Sequence, residues 1–269
     1  MHKRTSGTAK ITGTVLTAAA IAAAGFASAP AANATCASFF GLGNSADCTS
    51  TPLSIAIAIG NGATAKANGL FGAAFSAGTG AVAQTDDAFT FAVAAGDSSV
   101  SLSEGLFGIG ISLGPATTTG TSGNPSLGNL GFNIALNISP TNSSNLYPVI
   151  AGGIGNLAVN LFGTNQTNPF TVGVYATGIL NIGGNVGGAD NYVWALGGGL
   201  NSALNLGGSS NQVTTDNAIL SSAVNIAGNN NGVQAGPGPV AIAVSVGQSG
   251  ATVEKQQPGI NINGFKIPN

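Results

Sequence analysis

PLSIAIAIG (52–60), LFGAAFSAG (70–78), AFTFAVAAG (88–96) and LFGIGISLG (106–114) align without a gap and end on glycines 18 residues apart. A fixed period of this kind marks a repeat architecture. Within each segment bulky and small residues alternate. Leu53, Ile55, Ile57 and Ile59 interleave with Ser54, Ala56 and Ala58, and Phe89, Phe91, Val93 and Ala95 interleave with Thr90, Ala92 and Ala94. A period of two belongs to a strand, not a helix.

The pattern continues more loosely in FNIALNIS (132–139), NLAVNLF (156–162), ATGILNIG (176–183), LNSALNLG (200–207), LSSAVNIA (220–227) and VAIAVSVG (240–247). One rung cannot bury its own apolar side. Parallel strands stacked about 4.8 Å apart can, because like residues then superpose into columns. The sequence therefore predicts an all-β fold, a parallel β-solenoid of about ten rungs of 18–25 residues. The Leu, Ile, Val and Phe columns are expected inside, with Phe71, Phe89 and Phe107 in one buried file. Short second strands are expected near 63–67, 81–83 and 99–102. An antiparallel transmembrane barrel shares the alternating signal. One Trp, three Tyr and a supposed outer face of Asn, Ser and Thr argue against it.

Residues 1–34 read separately. His2, Lys3, Arg4 and Lys10 precede an apolar, Ala-rich run, and Ala32-Asn33-Ala34 fits the small-x-small cleavage rule of an export signal. An uncleaved anchor is the competing reading, since the run approaches the shortest spanning length. The division that follows is a signal peptide (1–34), a disulfide-containing cap (35–50), the solenoid (51–250) and a C-terminal cap or tail (251–269). Cys36 and Cys48, the two cysteines, would be exported to an oxidising compartment and are expected to pair.

Charged residues make up 5% of the chain. Beyond residue 34 only Lys66, Lys255 and Lys266 face all eight acidic residues, with no His or Arg. Nucleic-acid binding lacks its clustered cations, and His-dependent triads and His-ligated metals lack their ligand. No cofactor is implied.

Asn137, Asn160, Asn181, Asn205 and Asn225 stand two positions before the aligned rung ends, and Asn133, Asn156 and Asn201 form a second column. Read as outward, they are amide ladders on a flat polar face, either structural or recognising a repetitive glycan, an envelope surface or another copy. Asn68, Asp86 and Glu104 recur at 18 residues and should stack at one corner, which is a candidate cation site or solvated edge. A carbohydrate-active enzyme using Asp86 and Glu104 is the catalytic alternative.

Ser54-Ile-Ala-Ile-Ala-Ile-Gly60 followed by Ala63-Thr-Ala65 resembles repeats in the heads of trimeric autotransporter adhesins, although the rung here is longer. Asn181-Ile-Gly183-Gly-Asn185-Val-Gly187 is similar to the Asn- and Gly-rich repeats of secreted mycobacterial envelope proteins. Both resemblances imply an exported, non-catalytic structural or adhesive repeat protein, secreted or held at the envelope. A membrane-associated, pore-like envelope protein is the alternative.

Overall fold

The computed structural model describes residues 35–139, 147–165 and 173–267. The expected export signal lies outside them. The described chain winds into a parallel β-solenoid of about ten turns. Each turn gives one strand to a 14-stranded sheet, here the first sheet, and one to an 11-stranded second sheet.

The 18-residue register holds, Ile57 lying beside Phe75, Phe75 beside Val93 and Val93 beside Ile111. The parallel column then runs through Leu136, Val159, Gly184, Leu204, Val224 and Val244. Parallel neighbours around a filled interior exclude the antiparallel barrel.

The recurring glycine is required by the corner it occupies. Gly60, Gly78, Gly96 and Gly114 have φ of 129°, 129°, 130° and 120°. A Cβ on Gly60 would lie 2.3 Å from the Gly78 carbonyl oxygen, and one on Gly96 2.4 Å from that of Gly114. Any side chain would force the stacked corners apart.

The first sheet reverses the expected orientation. Its inward positions carry Ala56, Ala74, Ala92, Ala135, Ala158, Ala203, Ala223 and Ala243, all fully buried, and its bulky columns face outward. Phe71, Phe89 and Phe107 do form one file, with stacked rings 5.2 and 5.1 Å apart. That file is open, the three residues being 51%, 46% and 39% exposed.

The reason is thickness. Two short strands joined by tight corners hold the sheets so close that a Cβ on Gly183 would lie 2.9 Å from the Tyr175 carbonyl oxygen of the second sheet. Only small or slender side chains fit between, chiefly Ala, Val, Ser, Thr and Asn. From the second sheet come Val149, Val174, Val193, Val213, Val233 and Val253, one above another.

The disulfide forms as expected. Cys36 pairs in register with Ala58 of the first sheet and Cys48 with Ala65 of the second, and their Cα atoms are 5.5 Å apart. The bond therefore ties the two sheets together at the first turn. At that end of the first sheet strand Thr35–Phe39 runs antiparallel to Ile55–Ile59, and the short strand Leu42–Gly43 pairs antiparallel outside it. Phe265–Ile267 closes the other end antiparallel to Gly259–Ile262.

Candidate functional site

The asparagine columns are interior. Asn133, Asn137, Asn156, Asn160, Asn181, Asn201, Asn205 and Asn225 are at most 1% exposed, so none presents a recognition face. Their hydrogen bonds show what they do instead. In one column Asn160 Nδ2 donates to Asn137 Oδ1 at 2.9 Å, and the relay continues from Asn185 to Asn160, Asn205 to Asn185 and Asn225 to Asn205, each at 2.8 Å. Buried amides need partners, and a repeated amide supplies them.

Asn181 belongs to the other first-sheet column, together with Asn133, Asn156 and Asn201. There each Oδ1 accepts the backbone N–H one turn on: Asn156 to Asn133, Asn181 to Asn156 and Asn201 to Asn181, all at 2.9 Å. The sequence alignment slipped by four residues at that turn because Leu180-Asn181-Ile182-Gly183 mimics the rung ending, whereas the true rung end is Asn185-Val186-Gly187. A third column, outside those the rung-end alignment picks out, is Asn191, Asn211 and Asn231. It connects at 3.0 Å per step, and its strict 20-residue spacing was its signal.

Asn68, Asp86 and Glu104 do meet at one corner. Asp86 accepts from Asn68 Nδ2 at 2.9 Å and from Gln84 Nε2 at 2.7 Å. Asp87 accepts the Gly105 N–H at 2.9 Å and Asn129 Nδ2 at 3.3 Å. Desolvation first, then Asp86 and Asp87, pushes the Glu104 carboxyl above its ordinary range. Among the described residues no group of three or more His, Cys, Asp or Glu could hold a metal ion.

With the amides inside, the surface that stands out is the outer face of the first sheet. Each rung presents four outward positions: Phe71, Ala73, Phe75 and Ala77 in one, Phe107, Ile109, Ile111 and Leu113 in another, Leu200, Ser202, Leu204 and Leu206 in a third. Across the rungs from Leu53 to Val246 this face has no charged residue, and Ser202 and Ser222 are its two polar ones. It spans about 20 Å along the strands and about 45 Å along the axis, roughly 900 Å². That exceeds the apolar patches of a few hundred Å² usual on soluble monomers.

The margin of this face is held against backbone preference. Phe71, Phe89, Phe107, Leu180, Leu200, Leu220 and Val240 all have φ between 53° and 62°. Left-handed backbone costs a bulky L-residue about 1–2 kcal/mol, least for Gly or Asn. Either would also remove apolar surface from water. Stacking along the file covers these side chains only in part, Phe71 remaining 51% and Leu200 53% exposed.

The second sheet's outer face differs. One column reads Lys66, Gln84, Leu102, Gly120, Ile150, Tyr175, Trp194, Thr214, Gln234 and Glu254. It is polar at both ends and aromatic in the middle, where Trp194 lies 5.1 Å from Tyr175 and 4.0 Å from Tyr192, centroid to centroid. Among the described residues no helix is long and apolar enough to cross a membrane. No family model, curated protein or solved structure matches the chain.

Proposed function

We propose that the protein is an exported, non-catalytic structural or adhesive component of the cell surface or envelope, acting through the outer face of its first sheet. The observation that carries this reading is the uncharged, strained-edge face of Phe, Ile, Leu and Val, which stacking within the chain covers only in part. Export is supported by the basic-then-apolar start of the sequence and by the Cys36–Cys48 bond, which suits an oxidising compartment. A glycan partner read from the Asn ladders loses its basis, because those amides are spent on one another and on corner carbonyls.

Cell fractionation tests the reading. The processed chain should begin at Thr35 and stay with the envelope until detergent is added. Leu136→Lys, Val159→Lys and Leu204→Lys together should move it to the soluble exported fraction with unchanged far-UV circular dichroism. Retention of that folded triple variant with the envelope, at the wild-type level, would refute docking by this face.

A further inference from the structure

We infer that the outer face of the first sheet is covered by a second copy of this chain, the two related by a two-fold axis parallel to the solenoid axis. This deepens the proposed function and rests on its assignment of the docking face: the pair is then what the envelope holds, and Lys on this face releases the protein by splitting the pair. Area is the first argument. A face of about 900 Å² matches the roughly 800 Å² per partner of a standard stable interface. Flat sheets pack face to face about 10 Å apart, so the pair would form a four-sheet stack with the apolar faces at its centre.

Size matching is the second argument, and it selects the axis. A two-fold along the solenoid axis keeps each rung opposite its own copy and reverses the order of its four positions, so the first outward residue faces the fourth and the second faces the third. All three alanines of the face then stand opposite phenylalanines: Ala77 against Phe71, Ala95 against Phe89 and Ala73 against Phe75. Its two glycines meet large residues likewise, Gly155 against Leu161 and Gly184 against Ile182, and Ser202 and Ser222 meet Leu204 and Val224. First and fourth positions are about 20 Å apart within one chain, so their complementarity has no intramolecular cause. A two-fold along the strand direction would instead set Phe89 near the Leu200 and Leu220 rungs, where the margin is already bulky. Self-complementary pairing about a two-fold also closes the assembly at two copies.

The test is the mass of the protein, released from the envelope with detergent and then freed of it, by light scattering and sedimentation, together with cysteine cross-linking. Expected are twice the chain mass, half that mass for the folded Leu136→Lys, Val159→Lys, Leu204→Lys variant, and a covalent dimer on oxidation of Phe89→Cys/Ala95→Cys. Neither single cysteine variant should cross-link, since each new thiol then faces a residue without one. A wild-type monomer at tens of micromolar overturns the inference. So does a dimer in which the double variant fails to cross-link or either single variant does so equally well. If the wild type is monomeric yet envelope-bound through this face, the second copy falls while the proposed function stands. A dimer whose Lys variant still fractionates with the envelope leaves the pairing intact and takes envelope attachment away from this face.

Discussion

Strand Ser202–Leu206 has two sides that follow different rules. Inward, Ala203 and Asn205 are fully buried, whereas outward Leu204 and Leu206 meet solvent in the single chain, Leu206 at 43% exposure. In an ordinary half-buried sheet the assignment is the opposite. Volume decides the inside of this solenoid and hydrophobicity decides its outside. The inside holds what fits between two close sheets, and the apolar side chains that do not fit are turned to the outer face.

The largest break in that comparison should come from exchanging sizes across one strand. Ala203→Leu forces a branched side chain into an interior without room to relax, where overpacking costs about 3 kcal/mol, the upper end of its usual range. Leu204→Lys, one residue away, changes only the outer face and should shift the stability of the isolated chain by about 0.5 kcal/mol or less. Denaturation midpoints of the two variants, measured at dilutions where sedimentation shows a single chain, check this. Equal losses would mean that the two sides are wrongly assigned.

The strand positions, the parallel stacking and the disulfide were legible because each rests on spacing, and Gly60, Gly78, Gly96 and Gly114 carry their own steric reason. Direction was not legible from hydropathy. Ile57 and Ala58 both look apolar, and nothing in their alternation says which one points in. A volume argument could have said it: a turn of 18 residues, once its corners are taken out, leaves two short strands too close for facing Phe or Leu side chains. The amide ladders were visible as columns, yet their polarity suggested solvent. Asn in a column every turn is self-satisfying when buried, which a residue-by-residue hydrophobicity reading misses.

A middle-sized effect should sharpen this last point. Asn205→Ala removes the donor to Asn185 Oδ1 and the acceptor for Asn225 Nδ2. Leaving buried polar groups unpaired costs about 1–3 kcal/mol each. The double variant Asn205→Ala/Asn225→Ala should lose less than the two single losses added together, because the Asn205–Asn225 bond they share is counted in both. Additive losses in denaturant titrations would show that the ladder is a set of independent amides, not a connected chain.

The smallest effect belongs to the acidic corner, where the same stacking geometry meets the wrong chemistry. An amide offers both donor and acceptor to the turn above and below, whereas stacked carboxylates offer only like charge. Asn68 over Asp86 is therefore a good step, and Glu104 beside Asp86 and Asp87 is a poor one. Desolvation and those two neighbours raise the Glu104 carboxyl in the folded chain. A raised folded value means that the fold favours the protonated form, so this group's stabilisation is complete at low pH and is lost as pH climbs through the folded value. Glu104→Gln keeps the shape and removes the charge. Its melting temperature should exceed the wild type's slightly near pH 7, and the difference should close as pH falls to about 3, below the ordinary carboxylate range. A difference that persists at low pH would place the effect in packing, and one that reverses at neutral pH would mean that the Glu104 carboxylate is held by a favourable partner.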